Sequence, residues 1–155
     1  MAAQLNYGYG TPKGVAGGKV DLFHDDVITR MNEAEDGVMK FGMAVAVGTQ
    51  AGSTVKVPGS ASDVIEGVAL YHPNTEQDMN GNVIVKKNVS VGVLVKGHVW
   101  GRLATGVTPT YHAKAYVVAS GADAGCFTTA SSGTIDIGAK FGNEVDGGIA
   151  IVELD

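Results

Sequence analysis

The sequence predicts an all-β protein: a jelly-roll-like β-sandwich or small barrel of short antiparallel strands, preceded by an extended N-terminal arm. Three observations point there. Gly supplies 23 of 155 residues and charged residues only 17%, against roughly 7% and 25% in ordinary proteins. Such a chain is poor in helix formers and rich in backbone that can turn. Apolar residues recur at every second position rather than every third or fourth. The resulting runs are short, fenced by Gly, Ser, Asp or Asn, and spaced as in sandwiches and barrels.

Residues 1–18 hold five glycines and one proline and keep no sustained period, so they read as an arm ahead of one β domain over 19–155. Two tyrosines and Val15 make the arm stickier than a Gly/Ser linker, because Tyr brings apolar area with few rotamers to freeze. An arm of this kind needs a partner surface, and Tyr7, Tyr9, Thr11, Pro12, Lys13 and Val15 are the candidates for that contact. Residues 20–36 fit either a short helix or a strand ending in Val27-x-Thr29-x-Met31, followed by a polar turn over 32–37. Alternation then starts: Phe41, Met43, Val45 and Val47 share one face, and Gly42, Ala44 and Ala46 the other. Val55 and Val57 continue it before Pro58-Gly59-Ser60. Residues 64–70 form another run, ended by Pro73.

Asn80-Gly81 between strand-like flanks suits a two-residue type I′ hairpin turn, which needs positive φ at both central residues. The strongest alternation follows, with Val91, Val93, Val95, Val99 and Leu103 on one face. Together with Trp100 they form the expected core. Lys96-Gly97 reads as a turn or bulge between two strands. Short runs at 115–118, 126–129, 134–137 and 149–154 bring the count to about eight to ten strands. No fixed-period repeat is visible.

A chain of 155 residues suffices for one domain, which buries roughly 68–70% of its unfolded surface without a staple. Cys126, the single cysteine, has no intrachain disulfide partner. A formal charge of −5 and a pI of 5.2 disfavour nucleic acid and acidic membranes, because phosphate binding starts from a basic patch. No run approaches the roughly 18 apolar residues of a membrane span. The opening Met1-Ala2-Ala3-Gln4-Leu5-Asn6 lacks the basic start and apolar run of a secretory signal.

Catalytic and metal signatures are missing from the residues. His24, His72, His98 and His112 show no ligand spacing, so no metal or other cofactor is expected. Asp78-x-Asn80-x-Asn82 opens like a calcium loop, but Val83 and Val89 stand where that loop needs Gly and Glu. The Gly14 to Lys19 stretch is one residue short of a phosphate loop and continues with Val20 instead of Ser or Thr. No serine sits in a Gly-x-Ser-x-Gly elbow, and Cys126 reads as a small core residue with a raised thiol pKa. Asp25-Asp26 and Glu33-x-Glu35-Asp36 read as solvated turn carboxylates, whereas acid–base chemistry needs two in unlike environments. No enzyme is therefore expected. Trp100 fits a plug in the core or against a partner, or else the sugar platform of a carbohydrate-binding β-sandwich; an aromatic content of 6% favours the plug.

Four stretches together resemble a known family. They are Tyr7-Gly8-Tyr9-Gly10-Thr11-Pro12-Lys13-Gly14-Val15-Ala16-Gly17-Gly18; Arg30-Met31-Asn32-Glu33-Ala34-x-Asp36-Gly37-x-Met39-Lys40-Phe41-Gly42; Ser90-Val91-Gly92-Val93-Leu94 with Val99-Trp100-x-Arg102-Leu103; and Gly147-Gly148-Ile149-Ala150-x-Val152-Glu153-Leu154. In this order they are similar to the structural cement, or head decoration, proteins of tailed bacteriophages. The resemblance implies a non-enzymatic β-rich protein, made in the host bacterial cytoplasm, that binds the outside of the capsid. It further implies that the protein clamps neighbouring subunits of the major capsid protein as a small homo-oligomer, a dimer rather than a trimer. The family brings no catalytic residues to transfer.

Overall fold

The computed structural model describes residues 13–22, 24–73 and 76–155, which form strands and no helix. The strands are β1 (Asp26–Asn32), β2 (Ala44–Val47), β3 (Thr54–Lys56), β4 (Ile65–Ala69), β5 (Ser90–Arg102), β6 (Lys114–Val118), β7 (Phe127–Thr128), β8 (Thr134–Asp146) and β9 (Ile149–Leu154). The first five run in the order β1-β3-β2-β4-β5, and β1 pairs back onto β5, closing a five-stranded barrel. Of the architectures the sequence left open, the small barrel describes this half. From β5 the ladder continues through β9, β8, β6 and β7. A parallel bridge between Leu103 and Phe127, and a 2.9 Å bond from Ala104 N–H to Phe127 C=O, bring that second sheet back to the end of β5.

Two apolar cores follow. Phe41, Val45, Val55, Ala69, Val91 and Val93 form the first with Met39 and Val85, which enter from loops. Val99, Ala115, Val117, Phe127, Ala139, Phe141, Ala150 and Val152 form the second, together with Ala44, Val68 and Leu94. Neighbours along β2, β4 and β5 thus feed different cores, which explains a departure from the simple alternation. Residues 41–46 are all buried, so the small residues of β2 face a second interior. Each large side chain buried this way contributes about 1.5–3 kcal/mol.

β5 is one strand of thirteen residues, where the sequence suggested two. Its partner changes at Gly97: β1 pairs with it as far as Lys96, and β9 from Gly97 onward. The register also slips between Asp26 and Val27, the mark of a bulge. Gly97 has φ 126°, a conformation that L side chains avoid. Of the core candidates, Val91, Val93, Val99 and Trp100 are buried, while Val95 and Leu103 are half-buried.

Of the two readings of residues 20–36, the strand holds: β1 takes 26–32, ending one residue past Met31. Two other expectations need adjusting. The run at 134–137 is the start of a thirteen-residue strand that continues through Gly138 and Gly142 to Asp146. At Asn80-Gly81 only Gly81 has positive φ (80°), and Gly81 N–H bonds back to Asp78 C=O at 3.0 Å. That is a three-residue turn around Met79-Asn80 with Gly81 left-handed, the alternative to type I′. Asp78 decides between them, because its carboxylate accepts the N–H groups of Asn80 and Asn82 at 2.8 Å each. The flanks make only an isolated Gln77–Val83 bridge.

Candidate functional site

Within the expected arm, the described residues 13–18 lie along β5 and continue there as a strap. Lys19 bridges antiparallel to Val99. Gly17 N–H donates to Trp100 C=O at 2.8 Å, Trp100 N–H to Gly18 C=O at 2.9 Å, and Val20 N–H to His98 C=O at 3.1 Å. Val99 faces β9 on its other side, opposite Val152. The strap therefore fills the edge of β5 that the numbered strands leave over, an edge that unprotected would template aggregation. Tyr71 N–H donates to Gly17 C=O at 2.8 Å, which ties the strap to the end of β4. Lys13 N–H donates to the Asp146 carboxylate at 2.9 Å, which ties its start to the β8–β9 turn.

Glycine makes the strap possible. Gly17 has φ 78°, and a Cβ there would lie 2.7 Å from Tyr71 N and 2.9 Å from Gly42 N. A Cβ on Gly14 would lie 2.2 Å from Cε2 of Trp100, so the bare Gly14 backbone rests on the indole. Trp100 is 5% exposed and offers no open ring face for a sugar to stack on. Of the contact candidates, Lys13 and Val15 are exposed, Val15 at 52%. Tyr7, Tyr9, Thr11 and Pro12 lie outside the described residues.

A second strand edge has no such cover among the described residues. Gly92 C=O accepts Leu70 N–H beside β4, so Thr29, the partner of Gly92 on β1, turns its own N–H and C=O away from β5. Met31 points the same way and finds Ser53 C=O at 3.0 Å. β3, however, reaches β1 only at Met31 and Asn32. At Val27 and Thr29 no described strand follows, and the outward Thr29 C=O takes only the Arg30 guanidinium at 3.1 Å. Val27 and Met31 are 44% and 39% exposed on the outer face.

Reactive groups do not converge. Among the described residues, no three His, Cys, Asp or Glu side chains are grouped to hold a metal. Burial pushes the Cys126 thiol up, and Asp123 adds to the effect, which removes the thiolate a nucleophile needs. Of the shifted carboxylates, Asp136 is held low chiefly by Lys114 across β6 and β8, and the others by hydrogen bonds from loop and turn residues. Glu33 accepts from the Thr49 and Thr54 hydroxyls and from Thr49 N–H. Asp63 accepts from Gly59 N–H and Lys56, and Asp78 from the Asn82 side chain and backbone. These groups shape loops. Arg30 and Glu66 pair at 2.7 Å with little exposure, a link between β1 and β4 across the barrel.

The sequence reading missed the strap and the open β1 edge. The only trace of the first was the Gly14-x-x-Gly17-Gly18 spacing, which was legible as a failed phosphate loop but not as close backbone approach. The second left no trace in residue types, because it depends on where β3 begins.

A barrel continued by a second sheet, with a strap laid along β5, defines an all-β structural scaffold. A family described as structural cement protein (E217 gp24/Pam3 gp6) matches residues 3–155. The chain belongs to that family, whose members are structural phage proteins and not a class of enzymes. A chain in the structure described as "The capsid of Myoviridae Phage XM1" shares the fold with a TM-score of 0.78 at 16% identity, over 100% of this chain and 98% of that one. No curated protein sequence matches.

Proposed function

We propose that the protein is a capsid cement. It binds the outer face of a tailed-phage head, bridges neighbouring subunits of the major capsid protein and stabilises the expanded shell, catalysing no reaction. The observation that carries this reading is the family match across residues 3–155. Physical chemistry supports it. A ligand that binds only the expanded lattice stabilises that state by mass action. A small homo-oligomer, a dimer in this reading, touches several coat subunits at once and gains effective concentration, so modest patches add up to a lasting grip. A protein of net charge −5 on the exterior has no electrostatic pull toward the packaged genome.

The contact with neighbouring subunits, of the coat or of the cement itself, is assigned to the arm ahead of the strap. Deleting residues 1–12 leaves the Gly14, Gly17 and Gly18 contacts in place, so the truncated protein is expected to fold as the full chain does. It is expected to lose saturation binding to expanded heads that lack the protein, measured by cosedimentation. Equal affinity of truncated and full-length protein would remove the arm from the mechanism. Failure of the full chain itself to bind heads would remove the cement role.

A further inference from the structure

We propose that the uncovered edge of β1 is the dock for residues Leu5 to Tyr9 of a second copy of this chain, which adds there as an extra strand. The proposal rests on the cement reading for its setting, and on the geometry for its partner. The outward N–H and C=O groups of Val27 and the N–H of Thr29 have no described acceptor or donor. Backbone groups of this kind are satisfied by another extended chain. In the segment Leu5-Asn6-Tyr7-Gly8-Tyr9-Gly10 the large residues Leu5, Tyr7 and Tyr9 alternate with small or polar ones. Added to β1, this pattern sets Tyr7 and Tyr9 on the outer face beside Val27 and Thr29, as cross-strand pairs, short of Met31, whose edge β3 already fills.

Distance assigns the strand to another copy. Lys13 is held at Asp146, Asp146 pairs with Ile149, and Ile149 pairs with Arg102. The β1 edge lies opposite Gly92. The ten residues of β5 between those points rise roughly 3.3 Å each, which leaves roughly 20–30 Å even after the kink at Gly97. From Tyr9 to Lys13 the chain has four steps, at most about 14 Å. A copy therefore cannot place Leu5 to Tyr9 on its own β1. The strap also runs from Lys13 toward β1, so the described chain begins at the end of the body away from that edge. Two copies lying side by side with poles reversed exchange arms and cover both edges, a closed two-fold arrangement.

The test uses full-length protein carrying Cys126→Ser. Variants with Leu5→Cys, Tyr7→Cys or Tyr9→Cys are each mixed with a Thr29→Cys variant under mild oxidation, in solution and on saturated heads. A Thr110→Cys variant serves as the exposed control. At least one mixture is expected to form a disulfide-linked heterodimer about tenfold faster than the control, the advantage that one tenfold in effective concentration gives. If all three mixtures match the control in both settings, the proposal is overturned. If deletion of residues 1–12 abolishes head binding yet no cross-link forms on heads, the arm belongs to the coat protein; the inference then fails while the cement role stands. A second variant, Thr29→Pro, removes the outward N–H without touching a described bond. It is expected to weaken self-association in sedimentation by about tenfold, and unchanged self-association would overturn the docking.

Discussion

Two strand edges in this molecule receive opposite treatment. The distal half of β5 is sealed by the chain's own strap, through paired bonds at Trp100 and a further bond at His98. The proximal stretch of β1, at Val27 and Thr29, keeps its backbone groups facing outward. Soluble β proteins blunt exposed edges with charge, Pro or cover. Among the described residues the fold covers one edge with glycine backbone and leaves the other open. The first edge serves stability, and the proposed docking gives the second to association.

The sharpest way to break that contrast is Trp100→Ala, which removes the side chain on which Gly14 rests. A loss of about 3–5 kcal/mol in denaturant unfolding is expected, as for other buried aromatics; a loss near zero would mean that the strap does not depend on the indole. Gly14→Ala puts a methyl where the ring already is. It is expected to cost about 1–3 kcal/mol through overpacking, with a red-shifted emission from Trp100, the single tryptophan, as the strap lifts. Acid comes next. Glu33, Asp63, Asp78 and Asp136 are held below the usual carboxylate range in the folded chain, chiefly by Thr49, Gly59, Asn82 and Lys114 respectively. A folded pKa lower than the unfolded one gives stability that is complete above the unfolded value and is lost as pH falls through the folded one. A melting temperature that declines progressively below about pH 5 is expected, with no contribution from these groups to any change between neutral pH and there. The smallest effect belongs to the bare edge: Thr29→Pro is expected to shift stability by less than about 1 kcal/mol, since it deletes no described bond and Pro is tolerated on edges.

Much of the strand pattern was legible because it is local. Alternation marked β4, β6 and β9 within a residue of their bounds, and fencing residues marked their ends; β2 begins three residues after Phe41, where the alternation started. β8 was cut short because Gly138, Gly142 and Asn143 read as breakers, yet pairing with β6 on one side and β9 on the other carries the strand past them. β5 was split at Gly97 because a glycine that bends a strand has the same letter as one that ends it. The β1–β5 closure, which makes the barrel, joins residues 59 to 70 positions apart and has no local signature. The strap was illegible for a related reason. Its partners are carbonyls and amides, which every residue has, and only the missing Cβ atoms of Gly14 and Gly17 hint at how near those partners lie.

The antiparallel seating of the strap also sets how it yields under load. The bonds from Gly17, Gly18 and Val20 run across the strand direction, and the Asp146 anchor sits at the end where the arm departs. Tension drawn through the arm along that direction loads them as rungs in shear, all at once, whereas a pull at right angles would open them one after another like a zip. In the proposed cement role, a shell swelling beneath the protein and tugging tangentially would thus meet the stiffer of the two responses.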